Sequence, residues 1–446
     1  IVKRSAIAKR WSAPSDRPRS RGEKRMTSAQ QGGSSRPTPT KKLRMGIIGI
    51  GVGATQIMPQ MESLEEIDLV AGADTDPEVR KAFQERYPEA RVYDTAEGLC
   101  NDPNVDAVWV STPNNWHCPH TIMAANAGKH VVCEKPMALS MDEAERMVKA
   151  AADNNVKLLC GHTIGFSPPV IQMRRIILSG ELGPLRAINN WTYTDWLLQA
   201  RQPEELDESR GGGVLYRQGP HQVDSIRLLG GGMVRTLRGT VGKWWSERQG
   251  VGYYSAFLEF EDGTTATMLN NGYGYALTAE LVPWGDERGI LERYTPEQRI
   301  AVRKEIQAGT RDEFAAKASL RIGSEHERTT WREQPTARKP WTPSNLGILI
   351  ATCERGDIRQ SEYGLYVYTD AGREDRDLGD VRYRAGIEDL LELYNAIMTG
   401  APVYHNGEWG MGTLEVITGI MESSRDRKEI RLTHQVPMPK EYDAEF

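Results

Sequence analysis

Residues 41–61, KKLRMGIIGIGVGATQIMPQM, carry the reading on which the fold turns. A short apolar run, Leu43 to Ile48, leads into Gly49, Gly51 and the pair Gly53-Ala54, and a helical pattern follows. In such a turn Gly49 permits the tight bend, Gly51 lets a pyrophosphate approach the main chain, and Ala54 is small enough for close helix packing. The helix start then offers amide donors and the positive end of its dipole to phosphates. Glycine-rich turns are common, so G-x-G-x-G-A says little by itself. A strand before it and a helix after it, inside a βαβ unit, make it a dinucleotide-binding signature.

The same rhythm continues downstream. IDLVAGADTD, the helical PEVRKAFQERYP, DAVWVSTP, the amphipathic HTIMAANAGK, the strand HVVCEKP, the helix SMDEAERMVKAAADNN and the strand VKLLCGH alternate as in a parallel, doubly wound α/β sheet. Ser140 with Glu143 three residues on forms a capping-box signal for one of these helices. A Rossmann domain is therefore predicted over residues 41–163. Beyond Thr163 the strands lengthen and are joined by direct turns such as EDG. This predicts an α+β domain over 164–446, with a large, mostly antiparallel open sheet. Residues 284–342, rich in charge, Pro and Trp, read as an irregular insertion with one helix.

A chain of 446 residues exceeds what one core supports, so two domains suit the length. With 39% hydrophobic and 26% charged residues it is globular in composition, and no run approaches the roughly 18 apolar residues of a bilayer span. No membrane partner is expected. The net charge of −5 hides an asymmetry: residues 1–44 hold 13 Lys/Arg against Asp16 and Glu23, leaving 43 basic against 59 acidic residues elsewhere. So acidic a body is a poor partner for nucleic acid. Residues 1–40 read as a disordered basic tail. Within it, residues 1–25 suit an upstream extension before Met26, with a transit peptide or nucleic-acid arm as the alternatives. Cys100, Cys118, Cys133, Cys160 and Cys353 lack paired spacing. They predict free thiols and a reducing, cytoplasmic setting.

Candidate site residues gather at predicted strand ends. Asp74, about 20 residues past the last glycine, sits where an acid would bond the adenosine ribose and favour NAD; alternatively it only opens the turn DTDP. Arg80 and Lys81 nearby keep NADP open. Glu134 and Lys135 end a buried strand, the edge where ligands bind, and Pro136 holds Lys135 extended and permits a cis bond. A solvated strand-end lysine is the competing reading. His162 ends the next strand and either faces substrate or is a core histidine. Arg217, His221 and Asp224, spaced i, i+4 and i+7, share one face of a continuous helix. Pro220 predicts that this helix is kinked or restarts near Gly219. Arg201, Arg210 and Arg217 together suit an anion pocket. His117, Cys118 and His120 lack a fourth ligand, so no metal is expected.

Taken together, GIIGIGVGA, STPNNWHCPH, AGKHVVCEKPMAL and GGGVLYRQGPHQVD resemble the Gfo/Idh/MocA oxidoreductases, from about Lys41 to near the end of the chain. TYTDWLLQARQPEELDESRGGGVLYRQGPHQVDSIRLLGGG and GYGYALTAELVPWG further resemble the branch that dehydrogenates cis-dihydrodiols of aromatic acids, such as phthalate 4,5-cis-dihydrodiol dehydrogenase. The resemblance implies an NAD(P)-dependent oxidoreductase whose second sheet packs as a homo-oligomer interface. It implies that Lys135 lies beside nicotinamide and substrate, that His221 moves a proton, that Thr112, Pro113 and Asn114 line the nicotinamide side, and that His117 lies just beyond. One departure stands out: sugar and inositol members carry Asp four residues before the histidine, and this chain carries Arg217. An arginine is no base, but it can grip a carboxylate in bidentate fashion. The substrate expected is a small anion, a carboxylated cis-dihydrodiol; a sugar or inositol, or nucleotide sensing without turnover, are the alternatives. His221, with an ordinary imidazole pKa near 6.5, suits the role of base. Asp224 either orients it or is a solvated helix acid.

Overall fold

The computed structural model describes residues 41–161, 163–282, 284, 295–325, 327, 341, 347–379 and 386–439. The basic tail 1–40 and His162 lie outside the described residues.

Six strands form the first sheet: β1 (Leu43–Ile48), β2 (Ile67–Ala73), β3 (Arg91–Tyr93), β4 (Ala107–Val110), β5 (His130–Glu134) and β6 (Leu158–Gly161). Their order is β3-β2-β1-β4-β5-β6, and every pairing is parallel. This is the doubly wound Rossmann arrangement. Helices cover both faces, which is why β4 and β6 are buried at every position. The helix Val52–Ser63 packs Ala54 and Ile57 on one side, while His117–Asn126 packs Cys118 and Ala124 on the other. Ser140 does cap the helix Met141–Asp153, accepting from the Glu143 amide, but Glu143 reaches back to the amide of Leu139 instead of that of Ser140. Edge strand β3 is too short to show any periodicity in sequence.

The second sheet has nine strands. Along the chain these are β7 (Leu185–Tyr193), β8 (Val234–Gly242), β9 (Tyr253–Phe260), β10 (Thr265–Asn271), β11 (Ile348–Cys353), β12 (Gly356–Gln360), β13 (Gly364–Thr369), β14 (Gly372–Asp377) and β15 (Ile430–Arg431). In space the order is β14-β13-β12-β11-β7-β10-β9-β8-β15, antiparallel throughout except for the parallel pair β7 and β10. Strict alternation of buried and half-exposed residues along β10 and β11 gives the sheet one covered and one open face. On the covered face lies the helix Gly213–Gly230, tied down where the Gln222 amide donates to Asn190 Oδ1 at 2.7 Å and Thr192 Oγ1 at 2.9 Å.

Two expectations are corrected here. Of the two outcomes expected at Pro220, the restart near Gly219 is not seen: the helix is continuous from Gly213 through Pro220, where packing of an almost wholly buried segment outweighs one missing hydrogen bond. The 284–342 insertion holds two helices among its described residues, Pro296–Ala308 and Glu313–Ala318, each started by a side-chain cap from Thr295 or Asp312. Both sheets belong to one compact unit. The helix Ile387–Met398 returns to the first sheet, packing Leu390 and Leu393 with Leu43, Ile57 and Trp109. Among the described residues no helix is long and apolar enough to cross a membrane.

Candidate active site

Because the helices after β1 and β4 leave to opposite faces, a crevice opens beyond the carboxyl ends of these two strands. Gly49 turns into it with φ of 87°; a Cβ there would stand 2.7 Å from Thr112 Cγ2 and 2.9 Å from the Ser111 carbonyl. Gly51 caps the helix Val52–Ser63, and a Cβ at Gly51 would meet nothing within 4 Å. No acidic residue lies in that first turn, and no side chain caps its amides. Ala54 is fully buried, and a Cβ on Gly53 would come 2.8 Å from Ser111 Oγ. These are features a pyrophosphate requires: room at the second glycine, and a helix start without a side-chain cap or an acid in its first turn.

Asp74 ends β2 with both carboxylate oxygens engaged. Oδ2 accepts from the Ile50 amide at 2.8 Å and Oδ1 from the Asp76 amide at 2.9 Å. It therefore closes the DTDP turn and also braces the glycine loop. Each oxygen keeps a further lone pair for a ribose hydroxyl. Arg80 Nη1 donates to the carbonyls of Asp74 at 2.8 Å and Thr75 at 2.9 Å, and Lys81 is exposed.

The loops after β4 and β5 are stapled together. His117 is buried between them, Nδ1 2.7 Å from the Pro136 carbonyl and Nε2 2.9 Å from that of Thr112. Thr112 Oγ1 in turn meets His120 Nδ1 at 3.2 Å, and the Lys135–Pro136 bond is cis. Glu134 accepts from the Trp109 indole at 3.2 Å; burial raises its pKa, against the pull of Lys135. Lys135 Nζ donates to the Arg217 carbonyl at 2.9 Å. Burial lowers the Lys135 pKa to about 8, with Glu134 opposing and Arg217 adding to the fall. The ammonium thus touches the helix that carries His221, one turn beyond Arg217.

Arg217 and Asp224, at the two ends of that helix face, are held differently. Arg217 gives Nη1 to Asn114 Oδ1 at 3.2 Å and Nη2 to Glu205 Oε1 at 2.9 Å, while Asn114 donates to the Gly211 carbonyl at 3.0 Å. Arg210 is exposed, and Lys317 takes the place expected of it: Lys317 Nζ and Arg201 Nη1 reach the same Glu205 oxygen at 2.9 and 3.3 Å. Asp224 is no solvated acid. Fully buried, it accepts from Tyr404 Oη at 3.0 Å and Trp409 Nε1 at 2.7 Å, with His405 Nε2 at 3.4 Å. Burial alone would lower the His405 pKa, but the Asp224 and Glu392 carboxylates on its two sides push it up to about 10. The Cys160 amide of β6 donates to the His405 carbonyl at 2.8 Å, so this cluster links the helix to the Rossmann sheet. Nothing in the sequence singled out Glu205, Lys317 or His405: Lys317 and His405 lie outside the motifs, and Glu205 gains Arg217 and Lys317 only through the fold.

Comparison with known proteins places the architecture. Residues 43–162 match the model of the oxidoreductase family with an NAD-binding Rossmann fold, and residues 170–280 match the GFO/IDH/MocA C-terminal domain. The chain belongs to the GFO/IDH/MocA family. It is an NAD(P)-dependent oxidoreductase of that family, with an NAD-binding Rossmann domain over the matched residues 43–162. A curated relative, 1-carboxy-3-chloro-3,4-dihydroxycyclohexa-1,5-diene dehydrogenase of Comamonas testosteroni, is 31% identical over 86% of this chain and 95% of its own. The scyllo-inositol 2-dehydrogenase (NADP+) of Bacillus subtilis is 26% identical over 88% and 96%. A solved structure from Bordetella bronchiseptica RB50, assigned as a dehydrogenase, is 31% identical with a TM-score of 0.78, covering 88% of this chain and all of the other. An Agrobacterium radiobacter oxidoreductase solved with NAD+, L-tartaric acid and magnesium shares the fold at 16% identity and a TM-score of 0.66, covering 88% of this chain and 98% of the other. Among the described residues of this GFO/IDH/MocA protein, no three His, Cys, Asp or Glu side chains group as metal ligands, and all five cysteines are buried free thiols.

Proposed function

We propose that this protein is an NAD(P)-dependent dehydrogenase that oxidises a secondary carbinol of a carboxylated cis-dihydrodiol, with Lys135 and His221 as its catalytic groups. The observation that carries the reading is the contact of Lys135 with the His221 helix at the carboxyl edge of β5, beside the glycine loop. The cofactor, when bound, accepts hydride at C4 of its nicotinamide. In the reaction a carbinol C–H bond breaks with its electron pair leaving as hydride, the hydroxyl proton passes to the His221 imidazole, and the C–O bond becomes double. Enolisation of the resulting hydroxy ketone restores an aromatic ring and drives the step. Lys135, still mostly protonated at neutral pH with its pKa near 8, donates to the substrate oxygen and steadies its negative charge. Thr112, Pro113, Asn114 and Glu134 line the nicotinamide side; Gly49, Gly51, Gly53, Ala54 and Asp74 hold the adenosine half. Arg217 binds the substrate carboxylate, and Asp224 fixes the helix on which His221 rides. His162 remains a substrate-side candidate by its place in the sequence.

The named substrate of the Comamonas relative, a carboxylated dihydroxycyclohexadiene, supports the choice of class. A cyclitol is the second reading, favoured by the full-length match to an inositol dehydrogenase whose name also gives NADP+ as cofactor. Retention of both Lys135 and His221 speaks against a non-catalytic sensor. For assembly, the open face of the second sheet presents Trp191, 43% exposed, and Phe257, 47% exposed, as a surface for a second copy. A cytoplasmic setting suits the free cysteines. The test is NADH formation by purified protein offered carboxylated cis-dihydrodiols, inositols and aldoses. Turnover of the first with the others inert is expected; turnover of inositols alone overturns the substrate class.

A further inference from the structure

Three cations converge on one carboxylate oxygen beside the active site. Glu205 Oε1 lies 2.9 Å from Arg217 Nη2, 2.9 Å from Lys317 Nζ and 3.3 Å from Arg201 Nη1. All four side chains are largely enclosed, with Arg217 the most open at 29% exposure and Glu205 at 5%. One carboxylate cannot neutralise three cations. Burial alone would raise the Glu205 pKa, yet the three cations hold it at about 2, so it stays ionised and, among the ion pairs of the described residues, it faces two more positive charges than it can balance. The neighbouring carboxylate of Glu313 does not supply the missing charge, being already shared by Arg248 and Arg311. Enclosed cations without counterions are costly unless an anion joins them. The direction from which one would arrive is set by Arg217, whose other nitrogen meets Asn114 on the nicotinamide-side loop and whose carbonyl holds the Lys135 ammonium.

The helix Glu313–Ala318 delivers Lys317 and is anchored for that purpose. Glu313 accepts from the Arg201 amide at 2.8 Å and from the Arg248 guanidinium, while Arg311 caps the Leu198 carbonyl at 2.7 Å. We propose that Lys317, with Arg217 and Arg201, forms the carboxylate-reading end of the substrate pocket, which makes the 313–318 helix a specificity element contributed by the insertion. This rests on the dehydrogenase reading above for the identity of the neighbouring pocket, and it adds a residue and a segment to it.

Benzoate and its neutral isostere benzamide are the probes, titrated calorimetrically into the NAD complex. Wild-type protein is expected to prefer benzoate at least tenfold; Lys317→Met is expected to lose most of that preference, and Lys317→Arg to keep it, with NAD affinity the same in all three. A Lys317→Met protein that still binds NAD and keeps the wild-type preference overturns the proposal, as does a wild type that binds both probes alike. The two readings fail separately. Lost preference in the wild type with dihydrodiol turnover intact sinks only the cation site, whereas a benzoate preference that depends on Lys317 without any turnover sinks only the dehydrogenase.

Discussion

Two glycines in one turn make opposite predictions. At Gly51 the backbone is extended, with φ of −84°, and a Cβ would meet nothing within 4 Å. Alanine there alters only the helix N-cap, a change of about 1 kcal/mol or less. At Gly49, φ of 87° costs an alanine ~1–2 kcal/mol, and its Cβ would press on Thr112 and Ser111 for ~1–3 kcal/mol more. Gly49→Ala should therefore lower unfolding free energy by roughly 2–5 kcal/mol in urea, and Gly51→Ala should hardly move it. Cofactor binding reverses the ranking of interest. The empty space at Gly51 is where the pyrophosphate would lie against the helix amides, and a methyl group there should weaken NAD at least tenfold, or ~1.4 kcal/mol. With NAD at 100 times the wild-type Kd, the wild type gains ~2.7 kcal/mol of stability; a tenfold weaker variant gains only ~1.4 kcal/mol. Urea unfolding with and without NAD, alongside an NADH fluorescence titration, reads both quantities. A folded Gly51→Ala protein with wild-type affinity would refute the placement of the phosphates, and with it the reading of the glycine loop.

The remaining predictions concern charge and assembly. With its pKa near 8, Lys135 should impose a fall in kcat/KM above that pH, and Lys135→Arg, which cannot deprotonate, should abolish the fall while leaving NAD binding intact; a fall that persists in the arginine variant assigns it to another group. His405 has a folded pKa of about 10 against roughly 6.5 when unfolded, so its protonation stabilises fully below pH 6.5 and that stability is lost as pH rises through 10. Urea midpoints should decline across that range, and Asp224→Asn should lower stability by ~3–5 kcal/mol and flatten the decline; an unchanged slope would refute the ion pair. Changing Arg217 to Ala should raise KM for carboxylated substrates far more than for neutral polyols, and equal effects on both would refute its role with the carboxylate. Lysine at both Trp191 and Phe257 should yield a smaller species in sedimentation, and an unchanged one would remove the open sheet face as the interface.

The sequence alone specified the first sheet and the glycine-rich turn, because both rest on local rules. Strand, glycines and helix are contiguous in residues 43–63, and Asp74 and Lys135 mark strand ends that hydrophobic runs reveal. It also singled out Arg217 and His221, since a helix fixes the spacing of residues on one face whatever lies around it. Where a longer-range contact competes with a local rule, the sequence leaves the outcome open: Pro220 reads as a kink or a restart, and in a helix buried along nearly its whole length the restart does not occur. What only the tertiary structure decided is the company these residues keep. Asp224 meets a histidine some 180 positions away, and Arg217 shares the Glu205 carboxylate with a lysine 100 positions along the chain. Charges gain their meaning from burial and from neighbours in space, and neither is written in the order of residues along the chain.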